Sequence, residues 1–337
     1  MNFSDVLQNT AVQFVGFNAC YYVIAAIGLN IQFGYTGLLN FGQAGFMAAG
    51  AYGLGQTVSV MGISMWWGIG IGIGYSVFLG LLMGVPALRL RADYLAIVTI
   101  AAAEIVRLVV RSVKFRGQFG GTDGLKDFAK SFQKVGIDLG LQPAKEYGFW
   151  VFKFSGQKLW VLIVGWTLVA IFGTIVWLLM KSPWGRVLKA IREDEDAVRS
   201  LGKNVYSYKM QALILGGVIG TFGGMILAVG TANVQPDNFS RDLTFYVLTG
   251  LVLGGVAKVS GSIIGPMLFW AIYAFVDSLL REIVADKPVR WGGTTIIEST
   301  AVGPVVFIIM GSLLVSLMVF RPQGLFGNRK EMAFEGR

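Results

Sequence analysis

Long apolar runs separated by short polar connectors restrict this chain to one environment. In order they cover about residues 11–33, 38–58, 64–88, 94–113, 159–180, 210–231, 263–280 and 301–320, with a shorter run at 243–256. Crossing the hydrocarbon core as a helix takes roughly 20 apolar residues. Eight runs therefore predict spans, and the run at 243–256, flanked by Gly254-Gly255 and Gly261, predicts a short or re-entrant ninth. Charged residues make up only 14% of the 337, against about 25% in soluble domains. The fold class is all-α: a polytopic transmembrane helical bundle of eight to nine spans.

Two polar stretches divide the bundle. Residues 1–113 hold helices 1 to 4, residues 114–158 form a long polar segment, and residues 159–337 hold the remaining helices with a charged loop at 181–209. The first ten residues carry no Lys or Arg, which excludes a cleavable signal peptide and predicts an outside N-terminus. The basic residues of Arg89-Leu90-Arg91, of the 181–209 loop, of Lys258 and of the tail sit in short connectors, where positive charge orients most strongly. The loop and the C-terminus are therefore placed in the cytoplasm and the 114–158 segment outside. The net charge of +9 belongs to loops beside anionic headgroups, not to a nucleic-acid site.

The loop KSPWGRVLKAIREDEDAVRSLGKNVYSYK (Lys181–Lys209) is a dense helix-forming segment between two apolar spans. Ser182 then Pro183 reads as an N-cap and first helical residue. Val187, Leu188 and Ile191 share a face, and Asp194 caps a second helix with Glu195 and Asp196 in its first turn. Ala197, Val198 and Leu201 form a second apolar stripe, Glu195 and Arg199 stand four apart, and Gly202 sits where a terminal glycine ends the helix. Two short helices with a bend present a firm charged surface to another protein.

Several chemistries are excluded. Histidine is absent and Cys20 is the single cysteine, which removes disulfides, cysteine metal sites and the usual nucleophile–base pairs. No GxxxxGK[ST] loop is present to cradle ATP phosphates. Small-residue faces occur at Gly216/Gly220/Gly224, at Gly68/Gly70/Gly72/Gly74 and at Gly45/Ala49/Gly53, where helices approach closely. Polar residues within spans are few. Asn40 and Gln43, three apart in the second run, predict a shared helix face. Glu104 and Arg107 predict an intramembrane ion pair near the outer edge, and Asp277, Arg281 and Glu282 an interfacial cluster. Such a chain fits a transporter subunit powered by something else.

Six stretches, in order and over nearly the whole chain, resemble branched-chain amino acid ABC permeases of the LivM type. They are GLNIQFGYTGLLNFGQAGFMAAGAYG (Gly28–Gly53), ADYLAIVTIAAAEIVRLV (Ala92–Val109), GGTDGL (Gly120–Leu125), GRVLKAIREDEDAVRSLG (Gly185–Gly202), LVLGGVAKVSGSIIGP (Leu251–Pro266) and RPQGLFG (Arg321–Gly327). Gln43 departs from the pattern, standing where many members carry histidine, which removes a titratable role there.

The resemblance implies a multi-pass protein of the bacterial inner membrane that forms half of a pore with a LivH-type permease. Two ABC ATPases would dock beneath and bind the ATP and Mg, so this chain needs no cofactor, and an extracytoplasmic solute-binding protein would deliver the amino acid. The loop then resembles a coupling element, with Gly185, Arg186, Ile191, Arg192, Glu193, Glu195, Ala197 and Gly202 facing the ATPases. Lys126, Lys130, Lys134, Lys145 and Lys153 would receive the binding protein, and Thr36, Asn40 and Gln43 are candidate pathway groups for a zwitterion's charged ends. Two rivals stand beside this: an ABC permease for urea or a sugar, and a stand-alone secondary carrier. The lack of histidine and of deep unpaired carboxylates counts against the second.

Overall fold

The computed structural model describes residues 3–88, 92–149, 152–286, 289–291, 294–297, 301–321 and 323–327; the basic connector 89–91, Pro322 and the tail beyond Gly327 lie outside these. The chain is built of helices: α1 (Phe3–Phe14), α2 (Phe17–Leu29) continued by a π-helical turn (Asn30–Tyr35), α3 (Gln43–Ser59), α4 (Met65–Ala87), α5 (Ala92–Arg111), α6 (Arg116–Phe119) and α7 (Lys130–Asp138). Then come α8 (Gly156–Lys181), α9 (Pro183–Glu193), α10 (Glu195–Ser200), α11 (Val205–Thr231), α12 (Arg241–Gly254), α13 (Val259–Asp286) and α14 (Val302–Phe320). Three small antiparallel ribbons complete it: β1 (Leu125–Lys126) with β4 (Asn233–Val234), β2 (Glu146–Phe149) with β3 (Phe152–Ser155), and β5 (Val289–Trp291) with β6 (Thr294–Ile297).

Among the described residues five helical stretches are long and apolar enough to cross a membrane: Ser4–Tyr35, Met65–Ala87, Gly156–Lys181, Val205–Thr231 and Val259–Val284. The other predicted spans fall short of that measure for separate reasons. Helix α3 has 17 residues and α12 has 14. Helix α5 carries Glu104, Arg107 and Arg111, and the apolar part of α14 is Val302–Ser316. The predicted break after the short run is present, because α12 ends at Gly254 and Gly255 takes a φ of 111°, open only to glycine at low cost.

Helix α11 is the axis of the bundle. Its apolar window is 78% buried, as is that of the first span, against 39% for α4, 33% for α8 and 28% for α13. It packs on α2, α3 and α4, while α12 and α13 pair beside α2 and carry α1 and α14. The peripheral helices show apolar side chains outward, such as Phe78, Leu82, Ile163 and Trp177, as lipid-facing helices must. Trp66 and Trp67 at the start of α4, and Lys181 stacked 3.4 Å over Trp177 at the end of α8, mark two opposite rims.

The polar segments segregate to those rims. Helix α11 leaves the 181–209 loop and ends at Thr231, next to the β1–β4 ribbon, which ties residues 125–126 to the far end. At the loop end, Arg192 reaches Gly34, Lys258 bonds Phe326, and Leu325 and Phe326 bond the carbonyls of Leu253 and Gly254. The loop and residues 323–327 thus share one face of the molecule and the 114–158 segment occupies the other.

The small-residue faces pack selectively. Gly28 of α2 meets the backbone of Gly216, and Gly224 lies against the Met47 carbonyl of α3. In α4, Gly68 and Gly72 touch α3, but Gly70 and Gly74 face open space, because residues four apart on a helix share a side and residues two apart lie about 200° round from each other. Gly224→Ala forces a Cβ into fixed backbone and should cost about 1–3 kcal/mol. Gly74→Ala should be neutral or slightly stabilising. Thermal unfolding of both variants in detergent checks the contrast, and equal melting temperatures would contradict it.

Candidate functional site

The 181–209 loop folds as its capping residues dictate. Ser182 Oγ accepts from the Gly185 amide at 3.5 Å with Pro183 in the first turn, and Asp194 Oδ1 accepts from the Ala197 amide at 2.9 Å. Gly202 follows α10 with a φ of 75°. Arg199 joins Glu195 and Asp196, each at 2.9 Å, and Glu195 also holds Lys209. These bonds make α9, α10 and the start of α11 one unit.

Its two helices face different ways. In α9, Gly185, Leu188 and Ile191 are buried against the bundle, while Arg186 and Glu193 are exposed. In α10 only Val198 is buried. The predicted stripe of Ala197, Val198 and Leu201 does not form: Ala197 is exposed and Leu201 is 80% exposed. The reason is angular, since residues 197 and 201 lie about 40° apart on a helix and residue 198 about 100° from the first. Packing on Val198 turns the other two outward, beside Gly202.

Above α9 lies a buried polar cluster that contains the candidate pathway residues in an arrangement the spacing did not predict. Asn40 and Gln43 do not share a helix face. The first span continues through the π-helical turn to Tyr35, the chain then runs non-helically from Gly37 to Gly42, and α3 begins at Gln43 instead of residue 38. Side chains from α5, from α12 and from the connector itself satisfy the free amides around the start of α3. Thr99 Oγ1 accepts from Phe41 N at 3.0 Å, Asn40 Oδ1 from Gly42 N at 2.8 Å, and Thr244 Oγ1 from Ala44 N at 2.9 Å. With these amides capped by side chains, the helix starts late.

Gln32 and Asn30, unremarked in the sequence, complete the cluster. Gln32 Nε2 donates to the Leu213 carbonyl at 2.8 Å, and its Oε1 accepts from Asn40 Nδ2 at 2.7 Å. Asn30 donates to the Lys258 carbonyl and accepts from the Ala257 amide, both at 3.0 Å. Thr36 Oγ1 donates to the Ile31 carbonyl at 2.8 Å. Gln43 makes only long bonds, 3.3 Å to the Ala25 carbonyl and 3.4 Å to the Gly216 carbonyl, and its Oε1 accepts nothing among the described residues. Thr36, Asn40 and Gln43 are all buried inside this chain. The signal for Asn30 and Gln32 was available: two amide side chains in an apolar run need partners.

At the opposite rim, Glu104 and Arg107 pair as predicted, with Nε 3.1 and 3.0 Å from the two carboxylate oxygens. Asp237, which no spacing in the sequence links to this pair, bridges Arg107 at 2.8 Å and Arg111 at 2.9 Å. Asp277 and Arg281 pair at 2.8 Å. Lys126, Lys130, Lys134, Lys145 and Lys153 are all exposed. Lys130 bonds Asp127 at 2.8 Å and holds that carboxyl below its ordinary range.

The bond lengths rank the buried amides. Asn40→Ala removes the bond from Gly42 N and orphans Gln32 Oε1, a loss of about 1–3 kcal/mol. Gln43→Met keeps shape while deleting weak bonds and an unpaired acceptor, so it should be within about 1 kcal/mol of neutral. Thermal unfolding of the two variants tests the order, and a larger loss for Gln43→Met would reverse it.

Residues 12–318 match the family described as the permease component of branched-chain amino acid transport systems. The chain is 31% identical to the high-affinity branched-chain amino acid transport system permease protein LivM of Escherichia coli, over 90% of this chain and 67% of that one. The LivM protein of Salmonella typhimurium is 30% identical over the same shares. The autoinducer 2 import system permease protein LsrC of Photorhabdus laumondii is 26% identical over 47% of this chain and 49% of its own. A match across the spans, the loop and the buried cluster places the chain in the branched-chain amino acid transport system permease family.

Proposed function

We propose that this chain is the membrane-spanning permease subunit of an ATP-driven ABC importer for branched-chain and other hydrophobic amino acids. It forms half of the translocation pathway with a second, LivH-type permease. Two ABC ATPase subunits bind and hydrolyse ATP with Mg below it, and an extracytoplasmic solute-binding protein delivers the substrate to residues 114–158 and their exposed lysines. The chain lies in the bacterial inner membrane with its N-terminus outside and the 181–209 loop and C-terminus in the cytoplasm. Helices α3, α5, α12 and α14 add spans to the five apolar ones, an odd number that leaves the two termini on opposite sides, and α12, at 14 residues or about 21 Å, is a short crossing from the rim of Asp237 to the loop end.

The observation that carries the coupling assignment is the outward face of α10. Leu201, 80% exposed, stands beside Ala197 and Gly202 on a platform held by two caps and a chain of ion pairs. An isolated loop gains nothing from rigidity around an exposed leucine, whereas a docking element gains both buried area and a fixed lever. Arg186, Glu193 and Glu195 supply a charged rim. Thr36, Asn40 and Gln43 would meet substrate only when α2, α3 and α11 part during transport. An importer of another small solute is the second reading, supported by the partial likeness to an autoinducer 2 permease.

The test is uptake of radiolabelled leucine into vesicles holding the chain with its genomically adjacent permease, ATPases and binding protein. Uptake should require ATP and every component. Leu201→Glu, whose side chain contacts water in this chain, should leave folding intact yet strip the ATPases and reduce uptake at least about tenfold, by burying an unpaired charge at the joint. Transport by this chain alone, indifferent to ATP, would sink the proposal. ATP-driven uptake of another solute in place of leucine would move the assignment to the second reading. In the same vesicles Gln43→Met decides the pathway role, since an unchanged KM for leucine would remove Gln43 from it.

A further inference from the structure

We infer that Arg192 is the positioning residue through which the loop moves the pathway: its guanidinium grips the π-helical end of the first span and delivers the motion of α9 to the buried amide cluster. The inference rests on the importer reading above and extends it to a residue that grips the chain's own first span.

Two cations of α9, three residues apart and therefore on one face, hold consecutive residues of the π-helical turn. Arg192 Nη1 donates to the Gly34 carbonyl at 2.7 Å, and Lys189 Nζ stands 5.7 Å from the centre of the Tyr35 ring. The helix C-terminus they face carries partial negative charge and carbonyls without intrahelical partners. The neighbouring carbonyls are satisfied within the same segment: Ile31 by Thr36 Oγ1, Gln32 by Leu38 N at 2.8 Å, and Phe33 by Gly37 N at 3.2 Å. Of these four carbonyls, that of Gly34 is the one taken by the loop.

What the turn connects makes the grip more than a cap. A π-turn carries one extra residue per turn and commonly marks functional positions in helices. Within this one, Gln32 bonds α11 through Leu213 and, through Asn40, the connector that caps α3, while Asn30 clamps Ala257 and Lys258 between α12 and α13. There is no slack at its end, since a Cβ on Gly34 would stand 2.8 Å from the Ala257 amide. Helix α9 packs on the end of α8, where Gly185 lies against the Met180 backbone, and its buried side also meets α11 and the π-helical turn. A displacement of α9 therefore reaches α3, α11 and the α12–α13 connection through one hydrogen-bonded turn. Helix α10 turns outward to receive the partner, and α9 turns inward to pass the movement on.

The test uses the complete importer in proteoliposomes and reads leucine transported per ATP hydrolysed, a ratio that a merely stabilising contact leaves unchanged. Arg192→Gln should retain its ATPases and hydrolyse ATP within about twofold of the unmodified complex, while the ratio falls about tenfold, the scale of one lost charge-assisted bond. Arg192→Lys keeps one donor and should recover part of the ratio. Lys189→Gln should lower it by a few-fold, and it stands in as the deciding variant where Arg192→Gln does not assemble. An unchanged ratio in the assembled variants would overturn the inference. Loss of the ATPases from Arg192→Gln would also overturn it, by placing the residue at the partner joint. Unmodified complex that moves leucine without ATP would refute the importer reading itself and is seen first, before any variant is compared.

Discussion

The structure depends on one constraint: where a backbone leaves regular helix inside an apolar bundle, no water is present to satisfy it, and every freed amide and carbonyl needs a partner from the chain itself. The segment from Asn30 to Ala44 leaves the α-helical ladder where the first span turns into α3, buried at the loop end of the bundle. It survives because Thr99, Asn40 and Thr244 cap the amides of Phe41, Gly42 and Ala44, while Thr36 and Arg192 take the carbonyls of Ile31 and Gly34. Thr36 and Asn40 belong to the segment itself, while Thr99, Thr244 and Arg192 come from α5, α12 and α9, so the break also stitches the bundle together.

Close packing makes those reaches possible. Gly28 against Gly216 and Gly224 against Met47 draw α2 and α3 onto α11 until backbones touch. At that separation a glutamine on one helix reaches the carbonyls of the next, as Gln32 reaches Leu213 and Gln43 reaches Gly216. Larger side chains at the crossings would hold the helices apart and leave the amides unpaired in an apolar medium, where each orphan costs about 1–3 kcal/mol. Small residues and buried amides are thus two parts of one solution.

The loop obeys a different economy. Outside the bundle, water satisfies its backbone, and its rigidity comes from caps and ion pairs that are local in sequence. That locality is why Ser182, Asp194, Gly202 and the Glu195–Arg199 pair were legible from the residues alone. The direction in which α10 faces was not legible. A six-residue helix carries too little apolar periodicity to choose between Val198 and the Ala197–Leu201 side, and contact with the bundle made the choice.

The sequence by itself determined an all-α membrane bundle, the division into two rims, the two capped helices of the loop, the Glu104–Arg107 pair and the family. Each follows from composition, from spacing within a few residues, or from motifs that survive in order. Only the tertiary structure decided that α3 starts at Gln43, that the first span ends in a π-turn, that Gly68 and Gly72 pack while Gly70 and Gly74 do not, and that Asp237 joins Arg107. It also brought Arg192 onto Gly34, 158 positions away. The physical reason is the same in every case: a helix begins, breaks or turns where its free backbone groups and apolar faces find partners, and those partners lie on other helices.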